Sequence, residues 1–237
     1  INTVGNVTLD LGGYTLTSND DTVSVTNAST VLTIENGTVT SGDGGNLFSN
    51  TAATINITGG SFIPMTGKAP SGYSALNFGI LSGALKGGLY NNIVGGTFEM
   101  GNTSSGGYVF GAYSDGTPVA KIVNVFGAKD GWQGPMFKGA ALHLGGNAGA
   151  IGVTTKPTAL PATTECSDEV VISSTFYNGY FSSTVYGGPV TAESSTNFNF
   201  VKGSIELNVY GGQLNSTVYS AGTTDVYGKV TTNLNGG

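Results

Sequence analysis

The sequence predicts an all-β chain, a right-handed parallel β-helix (β-solenoid) with coils of about 23–25 residues and loop insertions in its middle. Three observations predict it. Short segments alternate apolar and polar residues, the segments recur at a nearly constant step, and a Gly/Asn position recurs in register with them.

Written in rows of 23, Thr8–Thr17 (TLDLGGYTLT) lies above Val31–Thr40 (VLTIENGTVT) and Thr54–Ile63 (TINITGGSFI). In that frame Leu9 falls over Leu32 and Ile55, Leu11 over Ile34 and Ile57, and Leu16 over Val39 and Phe62. Asp10, Thr33 and Asn56 stand between them, and this period of two is that of a strand. Gly13, Asn36 and Gly59 form a turn column. Gly and Asn enter the left-handed backbone region at least cost, so a repeated corner is expected there. Thr15 and Thr17 fall over Thr38 and Thr40, a short T-x-T ladder that ends at Ser61 and Ile63.

Towards the other end, TVYGG (Thr184–Gly188) is followed 24 residues later by NVYGG (Asn208–Gly212), and NLNGG (Asn233–Gly237) comes 25 residues after that. Between the two regions, Ile93–Phe98, Ile122–Gly127 and Ala141–Gly146 carry the same strand-then-glycine shape at irregular spacing. Insertions at solenoid corners produce such irregularity, and the Pro-containing segments near 64–79 and 154–169 are the expected ones. No segment sustains a helical period; Ile80–Tyr90 comes nearest, and its glycines argue against a helix. A β-sandwich, built of hairpins, predicts no column register and fits less well. The chain is expected to form one β-helix domain over residues 1–237, as a fragment of a longer repetitive surface protein whose signal and anchor lie outside it.

Composition narrows the function. Glycine supplies 40 of 237 residues, yet 38% of the chain is apolar and it holds eleven Phe and eleven Tyr, so a folded, turn-rich chain is expected. All eight basic residues are Lys, and 14 acidic residues bring the net charge to −6. Nucleic-acid binding needs a concentrated basic face, and recognition by bidentate Arg needs an Arg; the sequence offers neither. No stretch approaches the ~20 apolar residues of a membrane span. The single Cys166 allows no internal disulfide and reads as an unreactive loop thiol. Low charge with abundant Thr, Ser and Asn points to an extracellular setting.

Two motifs carry a family resemblance. Val7–Gly42 resembles the strand, glycine corner, Y-T-L-T and L-T-I-x-N-G-T run of bacterial cell-surface adhesin-like proteins of the pectate-lyase-like β-helix superfamily. Ile55–Phe62, Ile93–Phe98 and Asn208–Gly222 resemble that family's G-G-T-F and V-Y-G-G repeats. The likeness covers residues 6–63 and 170–237 well and the middle loosely. It implies the fold and a cell-surface location, and it carries over no catalytic or ligand residue.

The same fold hosts polysaccharide lyases and hydrolases, so catalysis has to be weighed. Pectate lyases as a family use an acidic Ca²⁺ cluster with a basic residue, usually Arg, and polygalacturonases use several Asp, a His and an Arg; this sequence lacks Arg and has one His. His143, between Leu142 and Leu144, is expected to face solvent by strand alternation. Asp20 and Asp43 share a position in the 23-residue frame and are the best acidic pair, able to hold Ca²⁺ at a corner or to stand as two solvated carboxylates. No other cofactor is called for. Tyr177, Tyr180, Tyr186, Tyr210, Tyr219 and Tyr227 crowd the last sixty or so residues, as candidate contacts for sugar rings or a protein partner, or as members of the solenoid stack. The expected function is an adhesive or structural surface module that binds an extracellular glycan or protein, or acts as a stalk, with self-association through open coil ends also open. The alternative is a polysaccharide lyase, glycoside hydrolase or phage tail fibre on the same fold.

Overall fold

The computed structural model describes residues 1–18, 22–41, 48–50, 54–63, 76–77, 88–99, 107–112, 116–131, 133–191 and 198–236. All described strands pair in parallel, and they form stacked sheets to each of which a coil contributes at most one strand. This is a parallel β-solenoid, and it excludes the sandwich alternative, since among the described residues no antiparallel hairpin pairs the strands.

The first sheet has eight strands, in spatial order Gly5–Asp10, Thr30–Glu35, Thr54–Ile57, Gly88–Ile93, Lys121–Phe126, Val170–Phe176, Ser204–Val209 and Val230–Leu234. Sequence order and spatial order coincide, as they must when each coil lies on the one before it. A second sheet of seven strands follows it round the corner, from Thr15–Ser18 to Gln213–Leu214. A third sheet of five strands includes Tyr108–Val109, Leu142–His143, Val185–Tyr186 and Val218–Tyr219. A fourth, of four, runs Pro118–Val119, Ala150–Ile151, Phe200–Val201 and Asp225–Val226.

Alternation along each strand turns every second side chain inward, and the parallel register makes those side chains columns. One column of the first sheet is Leu9, Ile34, Ile57, Ile93, Phe126, Phe176 and Val209. The matching column of the second sheet is Leu16, Val39, Phe62, Phe98, Phe137, Phe181 and Leu214. Its rings stack face to face, with centroids 4.7 Å apart for Phe62–Phe98 and 4.3 Å for Phe98–Phe137. A second apolar cluster joins Leu89, Ile122, Ile172 and Ile205 of the first sheet to Val119, Ile151 and Val201 of the fourth.

Between the two clusters the inward column of the first sheet changes character. It begins as Val7, Leu32 and Ile55 and continues as Asn91, Asn124 and Ser174. These three are buried, and they bond to one another: Asn91 Nδ2 donates to Asn124 Oδ1 at 2.8 Å, and Asn124 Nδ2 to Ser174 Oγ at 3.0 Å. The amides also donate to the carbonyls of Phe110 (3.3 Å) and Leu144 (3.0 Å), where the third sheet's chain bends away and its C=O groups need a donor.

The 23-residue frame holds for Val31–Thr54, Thr15–Thr38 and Thr38–Ser61, including the short Thr ladder. It fails at the first strand. Val7 lies on Leu32 and Leu9 on Ile34, a step of 25, so Leu9 does not stack on Leu32. The two extra residues lie in the first corner, where Tyr14 N donates to Leu11 O at 2.8 Å across Gly12 and Gly13, both at positive φ as in a hairpin-type turn. The turn column also needs correction. Gly13 and Asn36 have φ of 85° and 53°, but at the third corner the left-handed residue is Gly60 (φ 104°) and not Gly59. The consistent column is one position later: Gly37, Gly60, Gly96, Gly179 and Gly212 each precede a second-sheet strand at positive φ, and Pro135 takes the place between Gly96 and Gly179. At the far end, Thr184–Gly188 does not lie under Asn208–Gly212. Val185 and Tyr186 pair with Val218 and Tyr219 in the third sheet, while Asn208 and Val209 pair with Thr175 and Phe176 in the first. The 25-residue step from Asn208 to Asn233 is as expected.

Of the segment near 64–79, Leu76–Asn77 is a third-sheet strand and the remainder lies outside the described residues. Of Ile80–Tyr90, the described part opens the strand Gly88–Ile93. The segment 154–169 is a loop without strands, tied to later coils by Ser167 N to Tyr227 O (3.0 Å) and by the ion pairs Glu165–Lys202 and Asp168–Lys229.

Candidate functional site

The six C-terminal tyrosines do not form one surface. Tyr177 and Tyr210 stack with centroids 5.4 Å apart at the corner leaving the first sheet. Tyr186 and Tyr219 stack at 5.1 Å with planes 7° apart on the outer face of the third sheet. Tyr180 faces outward on the second sheet beside Met136 and Gln213 and is half-buried, and Tyr227 packs edge-on against Phe200. Two of the six, Tyr210 and Tyr219, are exposed at 49% each, and each caps the stack begun by the tyrosine one coil earlier. The tyrosines are therefore both stack members and, at two positions, open ring faces.

Asp20 and Asp43, the acidic pair of the 23-residue frame, lie outside the described residues. Among the described residues, no group of three or more His, Cys, Asp or Glu side chains gathers where a cation could be held, and no helix is long and apolar enough to cross a membrane.

His143 is not at the surface. It is 9% exposed, flanked by the buried Leu142 and Leu144, with Tyr186 edge-on to its ring at 5.4 Å and its Nδ1 2.5 Å from Asn147 Oδ1. Alternation does turn it away from the two leucines, but a bend follows the two-residue strand, and Asn147 comes back over the ring. Burial pushes the imidazole below its ordinary 6.5, and the Asn147 hydrogen bond acts in the opposite direction.

The loop 154–169 leaves a cavity of about 220 Å³ over the fourth sheet, between Pro157, Leu160, Pro161 and the Glu165–Lys202 pair, with Phe200 at its floor. Glu165, with half of its side chain exposed, is held below the usual carboxylate range by the Lys202 hydrogen bond first and by the Ala162 backbone second. Cys166 is exposed, its Sγ 3.5 Å from the Thr163 carbonyl.

The surface that sequence reasoning missed is the outer face of the first sheet. Its central outward row is Thr8, Thr33, Asn56, Asn92, Val125, Thr175, Asn208 and Asn233, one residue per coil. The amides bond along the row: Asn56 to Thr33 and Asn92 to Asn56 at 3.4 Å each, and Asn233 to Asn208 at 2.8 Å. Beside Asn92 on the same strand and face is Tyr90, 45% exposed. Its ring lies back along its own strand over Gly88. A Cβ added at Gly88 would stand 3.0 Å from the ring's Cε2 and 3.2 Å from its Oη. The sequence held a signal for this in G-L-Y: a glycine two residues before an aromatic on a strand clears the same face for the ring.

Fold and surfaces together define a class: a parallel β-solenoid with polar rows along its length. Comparisons of the chain with protein-family models, with curated proteins and with solved structures found no match.

Proposed function

We propose that the chain is an extracellular, cell-surface adhesive or structural module, binding a glycan or a protein partner along its side faces. The observation that carries the reading is the eight-stranded outer face, where hydroxyl and amide side chains repeat in register on the outward side, half-buried beyond the exposed Thr8. Such a row offers donors and acceptors at the strand spacing of about 4.8 Å, suited to an extended partner and not to a single small molecule. The likeness of Val7–Gly42 and Asn208–Gly222 to surface adhesin-like β-helices supports the same setting.

The test is a glycan-array screen of the purified protein, with reducing-sugar and unsaturated-product assays on every hit. Binding without turnover is the expected result. Turnover of any hit overturns the reading in favour of a polysaccharide-acting enzyme, with Asp20 and Asp43 the first residues to replace.

A further inference from the structure

We infer that Tyr90, with Asn56, Asn92 and Thr54, forms a binding site for a neutral, hexose-based polysaccharide on the outer face of the first sheet. This rests on the adhesive reading above and names its site and ligand class.

Three features of the structure point to a sugar. The first is the posture of Tyr90. Strand side chains lean along their strand, and the absent Cβ of Gly88 leaves room for the Cε2–Cζ–Oη side of this ring, so the ring lies back along the strand with the residue 45% exposed. A flat, open aromatic face with a polar hydroxyl matches the apolar C–H side of a pyranose ring. The second is the amide row beside it. Asn92 Nδ2 donates to Asn56 Oδ1, and Asn56 Nδ2 to Thr33 Oγ1, both at a long 3.4 Å, so each amide is biased towards one orientation by its neighbour. Each amide group has four hydrogen-bonding positions, and this row uses one or two of them. The remainder are both donors and acceptors, which is what the paired hydroxyls of a sugar require. Fixing the side chains beforehand lowers the ordering cost of binding.

The third feature is charge. The outward residues around Tyr90 are Thr54, Asn56, Asn92, Val123 and Val125, with Lys121 beside Gly88 on the next strand. One lysine amid neutral side chains makes neither the basic track that a polyanion requires nor an acidic one for a polycation. A neutral glycan has no net charge to desolvate against this surface. Its rings are comparable in length to the distance between neighbouring strands, so a chain laid across the strands meets one row position per sugar. Tyr90 would serve as the ring platform, Asn56 and Asn92 as the hydroxyl contacts, and Gly88 as the positioning residue.

The experiment is calorimetric titration of the whole 237-residue protein with soluble neutral hexo-oligosaccharides, and with polygalacturonate and a sulfated glycan as charged counterparts. Wild type is expected to bind a neutral oligomer. Tyr90→Ala should weaken it at least about tenfold, the effect of removing an aromatic anchor, while Tyr90→Trp retains it. Gly88→Val, which fills the space under the ring, should weaken binding with the thermal midpoint followed in parallel. The paired Tyr210→Ala, Tyr219→Ala variant should bind as wild type does. If Tyr90→Ala binds within about twofold of wild type while the Tyr210/Tyr219 variant loses binding, the site is overturned and the adhesive reading survives. Binding of the charged polymers alone also overturns it. No binding to any glycan overturns the site and leaves the adhesive reading its protein-binding or stalk form only.

Discussion

His143 is the only histidine in the chain, so its titration can be read without interference from another imidazole. Its burial between Leu142, Leu144, Asn147 and Tyr186 holds the folded-state pKa below the 6.5 of the free side chain. The unfolded chain therefore binds the proton more readily than the folded one. Stability from this group is complete above about pH 6.5 and is lost as the pH falls below it, through the lowered folded-state value. Urea unfolding at intervals from pH 7.5 to 5 should show stability declining, and His143→Gln should flatten that decline. Equal slopes in both proteins would show that the imidazole takes up its proton in the fold as readily as in the unfolded chain. A second residue-scale expectation falls on Gly37. Its φ is 143°, and a Cβ there would stand 2.6 Å from Leu11 Cβ and 2.6 Å from the Tyr14 carbonyl. Gly37→Ala combines a left-handed backbone with two backbone-level clashes, and should cost about 2–4 kcal/mol in chemical denaturation. Gly59→Ala, at an ordinary φ with open space around it, should cost well under half as much.

At the scale of elements, the second-sheet phenylalanine column is the centre of the fold. Phe137 stacks on Phe98 at 4.3 Å and meets Tyr108, Phe110, Phe126 and Phe181 at 5.0–5.8 Å. Removing that ring should cost about 3–5 kcal/mol, and Phe137→Leu markedly less, read from calorimetric midpoints of the two variants. A loss in Phe137→Ala no larger than in Phe137→Leu would mean that the column collapses to fill the gap. The start of this column was legible in the sequence. Leu16, Val39 and Phe62 recur at a step of 23 because no insertion separates them. Phe98, Phe137 and Phe181 continue the same column, but loops between the sheets lengthen the chain from one coil to the next, and a fixed frame loses them. Parity survives such insertions better than partner identity does. At the first strand a slip of two residues leaves every inward residue inward and changes each partner. The Tyr90 surface was hidden for a related reason. Its row partners Asn56 and Thr33 are evident only once the 36-residue step from Thr54 to Tyr90 is known. Nothing in the sequence marks Asn91 and Asn124 as inward, because the carbonyls of another sheet that they serve are brought to them only by the fold.

For the whole molecule, the first sheet runs unbroken from Gly5–Asp10 to Val230–Leu234, so every described coil is tied to the next by parallel pairing and by the same inward columns. Stability in such a stack is a sum of coil terms and of terms between neighbouring coils, so a defect in one coil loosens its neighbours before it reaches the rest. Hydrogen exchange of Phe137→Ala should therefore quicken first in Met136–Lys138 and in its partners Thr97–Glu99 and Tyr180–Phe181, with Thr30–Glu35 still protected. A uniform rise across all these strands would show instead that the coils open as one unit, and the stack would then be cooperative over its whole described length.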